Sequence, residues 1–444
     1  MATVNEELAK LAVKTTYKDF SKETIETTKD MVIDYVGATI AGSQTVPGQM
    51  VINLYKESGG APEATAIGAG LRLPAVTVSM INSTAAHCTE LENVGFKHGP
   101  NTTVNTPAAL ALAEKLGLTG KDVIESVIVG FEVQSRFPIA APGISSTGWD
   151  IGSTFGVFGA AASAAKLLKL NVAQTTMALS IAASGASGLM EQTGSMTHFL
   201  EFGIAARQGL EAALLAKAGF TAQEHILEHA KGYLSAFSGG IPYDAKKLTE
   251  GWGAPFAITQ LSIKKYPCCY RTHRALDVVI ETMQQNKLTY DDIAKVEIDM
   301  NLYDAGLLKY AEPKAGFQSR FSMPHAIAMA ILDKGVGPKS FTDDAVASPR
   351  TKEARSKVKV TVRKDWPPDR PAAHTPVKIT LKDGRTFSDD RAMPRQPTRE
   401  ELLARHKMCC EVVLQSKQIE QSTDMMLNLE KVDNINKLME LVKG

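Results

Sequence analysis

The sequence is short of several things. Its 444 residues include only five cysteines, so no disulfide framework is expected and a reducing cytoplasm is the simplest home. The adjacent pairs Cys268-Cys269 and Cys409-Cys410 lack the C-x-x-C spacing of a zinc ribbon or a thioredoxin-type site, and buried, inert thiols are expected throughout. Neither sign of charge is in excess: 49 Lys and Arg face 48 Asp and Glu, a net charge of +1. No long-range field therefore recruits nucleic acid or an acidic membrane surface. No apolar run approaches the roughly 18 residues that a membrane span needs. The opening stretch "MATVNEELAKLAVKTTYKDF" has no apolar signal core. Fixed-period repeats and low-complexity segments are absent as well.

What remains is ordinary globular material, 44% hydrophobic and 22% charged, long enough for about two or three domains. From Ser21 to about residue 240 the pattern is helical. Ser21 caps a segment in which Ile25, Val32, Ile33, Val36 and Ile40 recur at helical spacing. "TPAALALAEKLG" ends on Gly117, a C-terminal stop, and "TGKDVIESVIVGFEVQSRF" starts at a Thr119 cap. "STFGVFGAAASAAKLLKL" is apolar all round and rich in small residues, which predicts a buried central helix. "TAQE", from Thr221 to Glu224, predicts a capping box and a further helix.

Near residue 250 the texture changes. "AKVEIDM" and "VKVTV" alternate like strands, and "VKITLKDGRTFS" reads as a hairpin around Asp383-Gly384. "FSMPHAIAMAILDKG" is an apolar helix, and "TREE" at 398–401 is a second capping box. The expected fold is mainly α: an all-helical domain over 1–254, an inserted α+β domain over 255–395, and a helical segment over 396–444 returning to the first domain.

Several cofactor-type motifs fail. "GAGLRL" lacks the third glycine of a dinucleotide loop, and "LTGKDV" lacks Walker spacing, so both read as turns. His225 and His229 stand four apart, but no third ligand supports them and they read as a polar helix surface.

The segments "NSTAAHCTELENV", "TPAALALAEKLG", "VIVGFEVQSRF", "GWDIGSTFGVFGAAASAAKLL", "SGLMEQTGSM", "GIAARQGLEAALLAKAGFTA", "IKKYPCCYRTHRALD" and "FSMPHAIAMAIL" resemble, in order, the MmgE/PrpD family of 2-methylcitrate dehydratases, cis-aconitate decarboxylases and iminodisuccinate epimerases. The resemblance implies a helical domain with an inserted lid, a homodimer, no organic cofactor and no metal. It also implies a small di- or tricarboxylate substrate, bound between helical domain and lid.

Carried over position by position, the family's polar site is partly rewritten. Its Asp-rich stretch becomes Glu90-Leu91-Glu92-Asn93. Its His-Pro falls on Pro100, with His98 two residues away. A family histidine is replaced by Asp150, a lysine by His198 and a tyrosine by His325, while Lys264 is retained. His273 matches a later family histidine.

Removing a proton from carbon next to a carboxylate, or losing water or CO2, calls for a group titrating near neutrality and for cations facing the developing oxyanion. The expected catalytic residues are therefore His198, Lys264, Asp150 and His98. Glu90, Arg271, His273, His325 and Trp149 are expected to bind substrate, and Lys265 to be a surface residue. Each position also has a plainer role: Asp150 as a helix cap, His198 as a helix-start histidine bonded to backbone, His325 as a cap, Trp149 as packing and Lys264 as a surface lysine. The expected activity is a cofactor-independent lyase of the dehydratase or decarboxylase kind. A dicarboxylate epimerase and a non-catalytic scaffold are the alternatives.

Overall fold

The computed structural model describes residues 2–95, 101–366, 374–391 and 394–444. The chain divides into two compact units. The first comprises 1–192, 197–263 and 398–444, the second 193–196 and 264–397. The insertion thus begins at Lys264 and runs to Pro397, with four residues from the 193–196 turn added to it.

The first unit is helical around one large apolar core. Its helix starts follow local chemistry. The Ser21 hydroxyl accepts the Thr24 amide and opens helix Lys22–Ser43, whose Val32, Ile33, Val36 and Ile40 are fully buried. Thr119 and Asp122 form a capping box for helix Gly120–Ala140. Gly117, in the left-handed region at φ +62°, ends helix Asn105–Leu116. Helix Ile151–Leu167 is buried along nearly its whole length. Its small residues permit close packing: a Cβ on Gly159 would stand 2.1 Å from the Gln134 side-chain oxygen.

Two features depart from the sequence reading. A short antiparallel ladder, Ala64–Ala66 with Leu71–Leu73, sits among the helices, and "GAGLRL" supplies its turn and second strand. No helix follows "TAQE": residues 221–232 form turns, and the next helix is only Tyr233–Ser238. The four-residue capping pattern is local, and the sequence behind it has too few buried apolar positions to carry a helix. His225 and His229 therefore lie on exposed turns, with ring centroids 4.9 Å apart.

The C-terminal segment belongs to the first unit. Thr398 and Glu401 form the capping box of helix Arg399–Cys410, which packs on Lys22–Ser43 and forms ion pairs with Glu26, Asp30 and Asp34. Cys409 and Cys410 are buried there, and burial pushes their thiols up to about 11 and about 12. They are inert at neutral pH.

The second unit has its own core and a four-stranded sheet in the order 358–362, 293–300, 375–381, 386–391. The first pair is parallel and the other two are antiparallel. Val296, Ile298 and Met300 face the core, as the alternation predicts. Gly384 turns the final hairpin at φ +90°. Helix Met323–Asp333 is capped by Ser322, whose hydroxyl accepts the His325 amide. No helix among the described residues is long and apolar enough to cross a membrane.

Candidate active site

Three helices of the first unit deliver one polar cluster. Helix Ala75–Cys88 ends with His87 in its last turn. The chain then reverses at Glu90, a non-glycine residue at φ +54° whose amide donates to the His87 carbonyl at 3.1 Å. A carboxylate residue held in the left-handed region stores local strain, a pattern concentrated at functional positions. Helix Met196–Lys217 brings in His198 and Glu201 near its start, one turn apart. Its Gly203 lets it lie against the first helix: a Cβ there would stand 2.2 Å from the Thr84 hydroxyl and 2.7 Å from the Met80 carbonyl. Asp150 caps helix Ile151–Leu167 through Oδ1, 3.0 Å from the Ser153 amide.

The side chains converge. The Nε2 atoms of His87 and His198 are 3.3 Å apart. Glu90 Oε1 lies 3.7 Å from the first and 4.0 Å from the second. On the far side of each ring stands another carboxylate. His87 Nδ1 is 3.2 Å from Glu92 Oε1. His198 Nδ1 is 3.6 Å from Asp150 Oδ2 and 3.9 Å from Glu201 Oε2. The other Glu201 oxygen accepts the Leu189 amide at 2.8 Å. The Phe202 ring stacks on His87 with centroids 3.8 Å apart and fixes its plane. All six polar side chains are buried. Burial works against charge on His198, but the neighbouring carboxylates of Glu201, Asp150 and Glu90 outweigh it and raise its pKa.

Of the residues expected from sequence, His198, Asp150 and Glu90 meet in this cluster. Asp150 caps its helix with one oxygen, as anticipated, and its other oxygen faces His198. Neighbouring Trp149 packs against Phe237, with centroids 4.3 Å apart. His98 lies outside the described residues.

Lys264, Arg271, His273 and His325 belong to the second unit. Lys264 is only 3% exposed, which rules out the surface-lysine role. Lys265, expected at the surface, is instead tucked against Asp277, which also accepts the Tyr266 hydroxyl. Arg271 and Arg274 both pair with Asp304. His273 is fully buried; burial, then the field of Lys264, pushes its pKa down to about 3, so it presents no cation to a carboxylate. His325 is also fully buried, its Nε2 2.7 Å from the Ser340 carbonyl and its Nδ1 3.4 Å from Arg355, which leaves no ring nitrogen for a substrate. Nor does its side chain cap the helix, since Ser322 does.

His87, Glu92 and Glu201 were not among the expected site residues. A partial signal was present: His87 and Glu90, like His198 and Glu201, are three apart, the spacing of one helix face. Two sets of side chains, His87–Glu90–His198 and Asp150–His198–Glu201, hold their ligand-type atoms within 4.8 Å of one another, close enough to take up a cation.

Residues 6–246 match the MmgE/PrpD N-terminal domain and residues 266–431 the MmgE/PrpD C-terminal domain. A cis-aconitate decarboxylase of Aspergillus terreus is 25% identical, over 99% of this chain and 96% of its own length. The Homo sapiens cis-aconitate decarboxylase is likewise 25% identical, over 95% of this chain and 90% of its own length. A cis-aconitate decarboxylase-like protein, oryM, of Aspergillus oryzae is 23% identical over 99% of this chain. With both domains matched over most of its length, the chain belongs to the MmgE/PrpD family.

Proposed function

We propose that the chain is a lyase acting, without an organic cofactor, on a small di- or tricarboxylate, and that His198 moves the proton. The observation that carries this reading is the pair of buried imidazoles in contact at 3.3 Å with carboxylates on both sides. Such a pair can hold a proton and deliver it to carbon without bulk water. For a β,γ-unsaturated acid such as cis-aconitate the step balances. The carbon–carbon bond to the departing carboxylate breaks and its electrons form the new double bond, while the old double bond opens and its electron pair on the far alkene carbon takes the proton from His198. CO2 leaves, and solvent returns the proton to the imidazole. Glu90, Asp150 and Glu201 orient the ring and favour its charged form. Support for the substrate class comes from the relatives' names and from family membership. Lys264 is carried into the proposal from the family resemblance, as the cation for a substrate carboxylate. A cytoplasmic homodimer belongs to the same proposal, and light scattering checks the assembly.

The test is incubation with cis-aconitate in D2O, followed by NMR. CO2 release with one deuterium in the product is expected, and His198→Gln should lower kcat by about 100-fold or more. Lys264→Ala should raise KM more than it lowers kcat. Deuterium exchange into recovered substrate without CO2 loss would select the epimerase class instead. No turnover of cis-aconitate, methylcitrate or related acids would leave only the scaffold reading.

A further inference from the structure

We propose that His87, Glu90 and His198 form a binding site for one divalent transition-metal ion, with zinc as the probe. The geometry is that of a ligand set. The three facing atoms form a triangle with edges of 3.3, 3.7 and 4.0 Å. A point about 2.1 Å from all three lies inside it, which is the length of zinc bonds to imidazole nitrogen and carboxylate oxygen. Two imidazoles and one carboxylate suit zinc, iron or cobalt and are poor partners for calcium or magnesium.

The surroundings carry the argument further. A ligating histidine almost always gives its second nitrogen to a carboxylate, carbonyl or water, which fixes the tautomer and strengthens the ligand. Carboxylates stand on that side of both imidazoles here: Nδ1 of His87 lies 3.2 Å from Glu92, and Nδ1 of His198 lies 3.6 Å from Asp150 and 3.9 Å from Glu201, as ion-pair neighbours. The two Nε2 atoms face one another across 3.3 Å, with Glu90 Oε1 beside both. Phe202 stacked on His87 locks that ring plane, and Glu90 is held toward the pair by its left-handed backbone. Neither side chain needs to move far to bind.

This site extends beyond the lyase reading and does not depend on it. Where both hold, the ion takes the His198 nitrogen that would otherwise carry the proton, and zinc inhibits turnover.

The experiment uses the untagged full chain, stripped with EDTA and titrated with ZnCl2 by calorimetry. One ion per chain is expected, with at least about tenfold weaker binding in His87→Ala and in Glu90→Gln, and a smaller loss in Glu92→Gln. The double variant His225→Ala/His229→Ala, which removes the exposed pair, should bind as the parent does. Cobalt in place of zinc should give the intense visible absorption of a four-coordinate site. Circular dichroism checks the folding of each variant; if His87→Ala does not fold, Glu90→Gln decides. No zinc uptake, uptake indifferent to Glu90→Gln, or uptake lost with His225 and His229 would each overturn the proposal. Metal uptake is read without turnover, so failure of the lyase reading leaves this measurement intact.

Discussion

At residue 93 the difference between an amide and an acid is decided by what each can donate. Asn93 Nδ2 donates to Asp34 at 3.2 Å and to the Thr102 hydroxyl at 2.8 Å, while its Oδ1 accepts the Thr102 amide at 3.0 Å. Asp34 in turn pairs with Arg405. An aspartate here would lose both donors and set a buried carboxylate against that of Asp34. Where the family carries an acid, this chain has a brace between Asp34 and the start of the next helix. Asn93→Asp should destabilise the first unit by about 2–4 kcal/mol, more than a neutral lost hydrogen bond, because a charge is left poorly partnered. Urea unfolding at pH 7 measures it, and a loss under about 0.5 kcal/mol, the range of neutral surface changes, would remove the brace argument. Glu90 is the converse case, where backbone ease and side-chain role conflict. Glu90→Gly should relieve the left-handed strain, leaving stability level or slightly higher, while abolishing the carboxylate contact to both imidazoles. Thermal melting alongside the zinc titration separates the two effects.

Between helices, the cluster depends on residues with no side chain. Gly203 sets the approach of the His198 helix to the His87 helix, and Gly42 does the same from the opposite element, where a Cβ would stand 1.7 Å from the Ala85 carbonyl. Gly203→Ala drives a methyl into the Met80 carbonyl, so the helices must separate. We expect a cost of about 1–3 kcal/mol and a matching loss of zinc affinity, measured by melting and calorimetry. Parent-like affinity in a destabilised variant would mean that the imidazole pair does not depend on this contact. Most helix ends could be read from sequence because their causes are local: Ser21, Thr119 and Thr398 cap, and Gly117 stops. The strands of the second unit were readable too, since alternation records which face is buried. The 221–232 turns were not, because a capping box proposes a helix that only buried contacts can sustain. The imidazole pair was unreadable for a different reason. His87 and His198 are 111 positions apart, and only the packing of glycine-backed helices brings them together. His198 and Asp150 could be anticipated through the family's own positions, whereas His87 sat inside a quoted motif with nothing local to mark it.

On the scale of the whole chain, two separate apolar cores share a habit: each shuts a neutral histidine away from water. In the first unit His406 is 2% exposed, with Nδ1 2.9 Å from the Ile33 carbonyl and Arg405 beside it. Burial first, then Arg405, pushes its pKa down to about 4. In the second unit His325 is depressed to about 4 and His273 to about 3, again chiefly by burial. The unfolded chain protonates these rings near pH 6.5, so between there and the folded values it binds more protons than the native state does. Stability from these residues is therefore complete above about pH 6.5 and falls as the pH drops toward 4, flattening only below the folded values. The loss is on the order of a few kcal/mol for each ring. Both units should weaken in the same window, because each holds a histidine of this kind. His406→Gln keeps a donor for the Ile33 carbonyl but cannot titrate. It should cost about 1 kcal/mol at pH 7 and show a shallower decline between pH 6.5 and 4. Melting temperatures taken every half pH unit read the slope directly, and a variant slope equal to the parent's would place the acid sensitivity on groups other than His406.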